Sequence, residues 1–439
     1  MKDFATHDHP AVAAQLARLS ALSVPQGRLG LEVITGLLAA LGNPETRLPP
    51  TFHVAGTNGK GSTCAYLTAM LEAAGHRVHS ATKPHLVRYN ERIRLGGRLI
   101  GDGHLAALLA EVLDAAATLP EELSPSFFEV TTAAIFLAFS REPADACVIE
   151  VGLGGRLDAT NVIPAPLACG IATLGIDHEA FLLRPEAGAP EGPLARIAWE
   201  KAGIARPGRP LVTQAYPEEA AEEVRRVAAA AGAPLLMRGE SWEAAVGEAI
   251  HYRDADGLLT LPLPTLAGRH QADNAALAIA MLRAQSVLTV SEAAMAEGIR
   301  AARWPARLQL LGQGPLTELA PGRKLWLDGG HNPDAGAAIA RHFADHPPLH
   351  LIIGMLANKD PAAIVRPLAG QLLSLSVVPA PGHDAHAPEA FAGLTDLAIA
   401  PRADVAEALA ALATPGDVLI CGSLYLAGEV LRLNQEFPD

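Results

Sequence analysis

The chain is expected to be an α/β protein built on a parallel, doubly wound sheet and followed by a second, smaller α/β unit. Three observations carry that expectation. From residue 52 onward, short β-branched runs alternate with helical stretches. A glycine-rich loop stands between the first such run and the first helix. The same alternation starts again near residue 305, and 439 residues exceed what one hydrophobic core ordinarily supports.

Residues 52–54 read as the first strand and lead directly into the glycine-rich loop. Apolar positions at helical spacing then run through residues 63–74 and stop at Gly75, a helix-ending signal. Residues 77–79 read as the next strand. Residues 147–151 are an apolar run broken by Glu150, residues 168–173 are another, and residues 210–213 follow the Pro207-Gly208 turn. The proline-rich stretch 185–193 reads as a surface loop. Residues 274–285 and 291–302 read as helices, after which Trp304-Pro305 interrupts the pattern. The domain boundary is placed there, giving units 1–302 and 303–439. Residues 325–327, 349–353, 375–378 and 418–421 are the strands expected in the second unit. In sheets of this kind, functional loops gather at the carboxyl ends of the strands.

Composition narrows the function. Half the residues are hydrophobic but only 4% are aromatic, as suits Ala/Leu-rich helices packed on a sheet. The balance of 34 basic against 47 acidic residues gives a net charge of -13, which repels phosphate backbones. General nucleic-acid binding is therefore not expected, although a local basic pocket for a nucleotide is compatible with it. The start MKDFATHDHP has no apolar core after a basic residue, so it does not read as a secretory signal. The most apolar stretches are too short for a membrane span. Cys64, Cys147, Cys169 and Cys421 lack metal-binding spacing and read as small buried hydrophobes, consistent with a cytoplasmic protein.

The most specific motif is Gly56-Thr57-Asn58-Gly59-Lys60-Gly61-Ser62-Thr63. Glycines let several backbone N–H groups converge on phosphate oxygens, and the following helix N-terminus adds a favourable field. Lys60 supplies a mobile positive charge for the β- and γ-phosphates. Ser62 and Thr63 offer hydroxyls to phosphate or to a hydrated Mg²⁺. The spacing departs from GxxxxGK[ST], because Gly61 separates the lysine from the hydroxyl residues. By itself the loop indicates a nucleotide and leaves the reaction open.

In this setting GTNGKGS resembles the phosphate loop of the folylpolyglutamate synthase/dihydrofolate synthase family, which is related to the Mur peptide ligases. Further segments match that family in order: Lys83-Pro84-His85-Leu86, Asn90-Glu91-Arg92-Ile93, Phe127-Phe128-Glu129, and the run from Glu150 through Gly154-Gly155-Arg156 to Asn161. Asp177-His178, Glu200-Lys201-Ala202-Gly203-Ile204, His270-Gln271 with Asn274, Trp304-Pro305-Ala306-Arg307, Asp328 to Pro333 and Gly422-Ser423-Leu424-Tyr425 follow. The resemblance spans nearly the whole chain. It implies a Mur-ligase-like fold, with a P-loop ATPase domain that also binds folate and a Rossmann-like C-terminal ligase domain.

The implied reaction joins L-glutamate to dihydropteroate and to the glutamate tail of reduced folates, using ATP and an acyl phosphate. One of the two activities alone, or a Mur-like peptide ligation, are the alternatives. Two Mg²⁺ sites are implied, and a monovalent cation is compatible with them. Glu150 ends an apolar strand, where a carboxylate needs a partner. Metal ligation and a hold by backbone N–H groups or Arg156 are both open on the residues alone; the resemblance assigns it to Mg²⁺. For His178 the residues alone favour a hydrogen-bonded structural histidine, whereas the resemblance assigns it to a second metal. Lys201 matches a lysine that family members carry as a carbamate, and in that form it would ligate the same ion. The spacer from His178 to Lys201 is longer than usual in the family. Lys83 stands where the family usually has serine, and a protonated lysine cannot ligate Mg²⁺. Asn274, Arg307, Asp328 and His331 match positions that contact ATP. Arg28, Gly30 and Phe128 match folate-side positions, with one of Phe127 and Phe128 expected in the core. A monomer is expected.

Overall fold

The computed structural model describes residues 7–22 and 30–439. Within them the chain forms two compact units. The first runs up to Lys83 and takes in Arg88–Thr265 and Ala272–Ala302; the second comprises Pro84–Val87, Leu266–Gln271 and Arg303–Asp439.

The strands of the first unit are β1 (Thr51–Ala55), β2 (Val78–Ala81), β3 (Ile93–Leu95), β4 (Arg98–Leu99), β5 (Ala146–Glu150), β6 (Ala168–Ile171), β7 (Leu211–Thr213) and β8 (Leu235–Met237). They form one sheet in the order β4-β3-β2-β5-β1-β6-β7-β8, parallel from β2 to β8 and antiparallel at the β3–β4 edge. Every residue of β1 and β5 is buried, His53 and Glu150 included, so neither strand shows the alternation of a half-exposed one. The register pairs Ala81 with Ile149, Val54 with Glu150 and Ala55 with Ile171. The loops after β2, β5, β1 and β6 therefore leave the sheet side by side, each roughly 4.8 Å from its neighbour.

Helices Pro10–Ser20, Glu32–Ala40, Asp102–Ala116 and Phe127–Arg141 supply one apolar core of this unit, and Pro193–Ala202 with Glu218–Ala231 supply another. At the start of helix Phe127–Arg141 the Ser126 N–H donates to Glu129 Oε2 at 2.7 Å, so the glutamate satisfies a donor at the helix N-terminus. The Glu129→Ala change is expected to lower stability by about 1 kcal/mol, read as a reduced thermal midpoint.

A three-stranded antiparallel sheet, β9 (Glu243–Val246), β10 (Ile250–Asp254) and β11 (Gly257–Leu261), was not among the expected elements. Ile250 and Tyr252 point inward while His251 and Arg253 are exposed, the alternation of a half-buried strand. Asp254 receives both Arg283 Nε (2.5 Å) and Nη2 (2.6 Å), tying this sheet to helix His270–Arg283.

In the second unit β12 (Gln309–Leu310), β13 (Leu325–Leu327), β14 (Leu349–Ile353), β15 (Leu372–Val377), β16 (Ile399–Pro401) and β17 (Val418–Cys421) lie in the order β12-β13-β17-β14-β15-β16. All neighbours are parallel except β12 with β13. Alternate residues feed two cores: Ile352 and Ile420 join one, while Leu351, Ile353 and Leu419 join the other. That division is the mark of a sheet covered on both faces. No helix among the described residues is long and apolar enough to cross a membrane.

Candidate active site

The loop after β1 turns at Gly56 (φ 147) and Gly59 (φ 85), both in conformations that favour glycine. It is stitched to the loop after β6: the Thr57 N–H donates to Thr173 O at 2.7 Å, Thr57 Oγ1 to Gly175 O at 2.9 Å, and Thr173 Oγ1 to Asn58 O at 3.0 Å. Helix Lys60–Ala73 begins at the loop's lysine and carries Gly61, Ser62 and Thr63 buried in its first turn. Asn274, itself buried, rests on Gly59, where a Cβ would come within 2.4 Å of Asn274 Oδ1. Lys60 Nζ is folded back onto the loop, donating to Gly56 O (3.0 Å) and Thr57 O (3.1 Å).

Lys201 reaches the same carbonyl from far along the chain, with its Nζ 2.9 Å from Gly56 O. Burial lowers its pKa to about 7, and the charge of Lys60 adds to the effect. The backbone packing that holds it there is tight. Gly155 lies against helix Pro193–Ala202, where a Cβ would sit 2.7 Å from Glu200 O and 2.9 Å from Lys201 O. The Arg156 N–H donates to Glu200 O at 2.7 Å. Asp158 shapes the intervening loop, accepting from the N–H groups of Leu153 (2.8 Å) and Thr160 (2.9 Å) and from Thr160 Oγ1 (2.5 Å). His53 Nε2 lies 2.8 Å from Thr160 Oγ1, and burial drives the His53 pKa down to about 3. Because Thr160 Oγ1 gives its proton to Asp158, the His53 ring nitrogen is the donor in that bond.

Arg156 does not reach Glu150. Its Nη2 pairs with Glu200 and Glu186, both at 2.8 Å, while its guanidinium carbon stands 3.9 Å over the Trp199 ring. Glu186 comes from the proline-rich stretch, so the longer spacer is fastened to the helix that carries Lys201. Glu150 is 4% exposed, and its Oε2 accepts the Lys83 N–H at 3.0 Å. Burial raises the Cys64 thiol pKa, the charge of Glu150 adds to the effect and that of Lys60 opposes it. Asp177 acts on Lys201. His178 follows in a left-handed conformation (φ 55), its N–H donating to Asp177 Oδ1 at 2.7 Å.

Among the described residues no three His, Cys, Asp or Glu side chains group to hold a metal. The donor set nevertheless suits a divalent cation. A buried carboxylate, Glu150, shares the site with Thr63, whose buried Oγ1 has no hydrogen-bond partner.

Of the folate-side candidates, Phe127 packs against the core cluster, whereas Phe128 meets it edge-on at 5.6 Å and stays half-buried. Gly30 lies before helix Glu32–Ala40, and Arg28 lies outside the described residues. In the second unit, both Asp328 oxygens accept backbone N–H groups, from Leu308 (2.8 Å) and Gly330 (2.6 Å). His331 Nδ1 donates to Gly329 O at 2.9 Å, and Arg307 Nη1 to Ala306 O at 2.8 Å. Residue reasoning alone gave no role to Asp158, Thr173 or Gly155. Their signal was available in part, since Asp158 and Gly155 both lie in the Gly-rich run after Glu150.

Curated relatives decide the kinship. The Escherichia coli dihydrofolate synthase/folylpolyglutamate synthase is 33% identical over 435 residues, covering 96% of this chain and 95% of the relative. The chain belongs to the folylpolyglutamate synthase/dihydrofolate synthase family. A Halobacterium salinarum protein named as a probable bifunctional folylpolyglutamate synthase/dihydropteroate synthase is 32% identical, and this chain spans 49% of its length. Among solved structures, a bifunctional folylpolyglutamate synthase/dihydrofolate synthase with Mn, AMPPNP and L-glutamate bound superposes with a TM-score of 0.81. Identity to it is 30%, over 96% of this chain and 97% of that one. No family model matches the chain.

Proposed function

We propose that this member of the family joins L-glutamate, at the expense of ATP, to dihydropteroate to form dihydrofolate and to the glutamate tail of reduced folates. The observation that carries the reading is the convergence of Lys60 and Lys201 on the Gly56 carbonyl, beside the buried carboxylate of Glu150. Three charged side chains from distant segments meet at a phosphate loop, which is an arrangement for moving a phosphoryl group.

The substrate carboxylate attacks the γ-phosphorus of ATP, the bond to the β-bridging oxygen breaks, and ADP leaves. The glutamate amine then attacks the acyl carbon, phosphate departs and an amide remains. Loop N–H groups from Gly56 to Thr63 cradle the phosphates, and Lys60 swings from its backbone carbonyls to the β- and γ-oxygens. Glu150, His178 and carbamylated Lys201 would hold two Mg²⁺ ions, which supply charge neutralisation at the transferring phosphoryl. Asn274, Arg307, Asp328 and His331 contact ATP, with Asp328 acting as a backbone clamp that shapes the loop bearing His331. Phe128, Gly30 and Arg28 serve the folate side. The first unit thus holds phosphate and folate, and the second completes the ligase. The chain acts as a cytoplasmic monomer on small molecules, without nucleic acid or membrane.

Phosphate release from ATP, offered Mg²⁺, glutamate and either dihydropteroate or tetrahydrofolate, tests this, with product masses recorded. Addition to both acceptors is the expected result. Addition to one would narrow the enzyme to a single activity. Addition to neither, by folded protein that binds ATP, would overturn the reading.

A further inference from the structure

Lys83 is the charged group of this neighbourhood that the chemistry above leaves without a task. Its backbone N–H is fixed to Glu150 Oε2, which seats the residue at the carboxyl end of β2, next to that of β5. Its ammonium has three protons to place. Among the described residues it makes one hydrogen bond, a long one of 3.4 Å to Thr132 Oγ1, and no ion pair. Asp158 lies close by, its oxygens accepting from Leu153 and Thr160, but among the described residues it makes no ion pair with Lys83. Gly152 faces both groups, since a Cβ there would stand 3.8 Å from Lys83 Nζ and 3.1 Å from Asp158 Oδ2. Lys83 is half-buried, and an ammonium with one long hydrogen bond gains from an anionic acceptor that completes its set.

Two anions could serve: a phosphate of the nucleotide or a carboxylate of the other substrate. Position separates them. In the sheet β5 lies between β2 and β1, so the strand of Glu150 separates Lys83 from the phosphate loop. The partner of the ammonium, Thr132, stands four residues after Phe128 on helix Phe127–Arg141, one turn further along the same face. Lys83 thus addresses the folate side. We propose that the Lys83 ammonium binds the carboxylate of the acceptor substrate, the group that ATP phosphorylates. This rests on the folate-ligase reading above and adds the residue that recognises the reacting group.

The test compares dihydropteroate with its neutral carboxamide, by direct binding titration without nucleotide, on the wild type, Lys83→Met and Lys83→Arg. The wild type is expected to prefer the acid, and Lys83→Met to weaken acid binding about 10–100-fold while leaving the amide unchanged. Lys83→Arg should restore part of the preference. Binding of a non-hydrolysable ATP analogue should stay within a few-fold throughout. Should Lys83→Met fail to fold, Thr132→Val removes the anchor of the ammonium and should reduce the acid preference in the same direction. An unchanged preference in a folded Lys83→Met protein overturns the proposal and leaves the ligase reading intact. Selective loss of ATP-analogue binding would hand the lysine to the phosphates and overturn it too. A wild type that binds neither acid nor amide would overturn the folate reading itself, with this proposal along with it.

Discussion

Substituting Lys201 by Ala or Arg is expected to lower turnover by about 10³-fold while an ATP analogue still binds. The amine sits at the phosphate loop with a pKa near 7, held down first by burial and then by Lys60. Carbon dioxide adds only to a neutral amine, and half of this one is neutral near pH 7, where an ordinary lysine is almost wholly protonated. The product is an anion, the charge that suits a divalent cation. Arginine stays charged and takes up no carbon dioxide, and alanine offers no nitrogen, so both should fail for the same reason. Protein stripped of carbon dioxide should lose activity and regain it with bicarbonate, faster at pH 8 than at pH 6. Full activity in the stripped protein, or in Lys201→Arg, would contradict the assignment. Mass spectrometry at high pH, where carbamates survive longest, offers a direct check.

Replacing Lys60 by Met should cost about 10²–10³-fold in kcat, with a smaller rise in the KM for ATP. In this structure the ammonium is parked on Gly56 O and Thr57 O. Those bonds are given up when phosphate oxygens arrive, so little of the lysine's interaction is spent on holding the ground state. Its charge counts most when the γ-phosphoryl is in flight. Met keeps the length of the side chain and removes only the charge. A fall in ATP affinity as large as the fall in kcat would instead mark Lys60 as a binding residue.

The sheet was legible because its central strands are buried on both sides, and wholly apolar runs such as 418–421 admit little else. Helix Lys60–Ala73 starts three residues before its apolar spacing does. Its first turn is Lys-Gly-Ser, polar for the sake of phosphate and silent to a hydrophobic pattern. The small sheet at 243–261 was missed although Asp256-Gly257 at its turn and the alternation around Tyr252 were there to be read. At the candidate site, the phosphate loop could be read because its residues are contiguous. The meeting of Lys201 with Gly56 could not, since 145 positions separate them and only the fold closes that distance. Lys83 stood out as a departure from the family, but its closeness to Gly152 and to Thr132 is a property of packing that no single segment encodes.

The second unit is not one stretch of chain. Pro84–Val87 belongs to it, with Leu86 and Val87 packed on its core, and Gly428 lacks the Cβ that would run into Leu86 O. A ribosome releases those four residues more than two hundred positions before the rest of their core exists. They must wait, held by a partly made protein, until the strands that need them emerge. A gene fragment beginning at residue 303 would therefore encode a body with a groove where its own early segment should lie. Recombination between relatives that cuts at that point would pair each late half with a foreign filler, and only partners matched at Leu86 and Val87 should survive it.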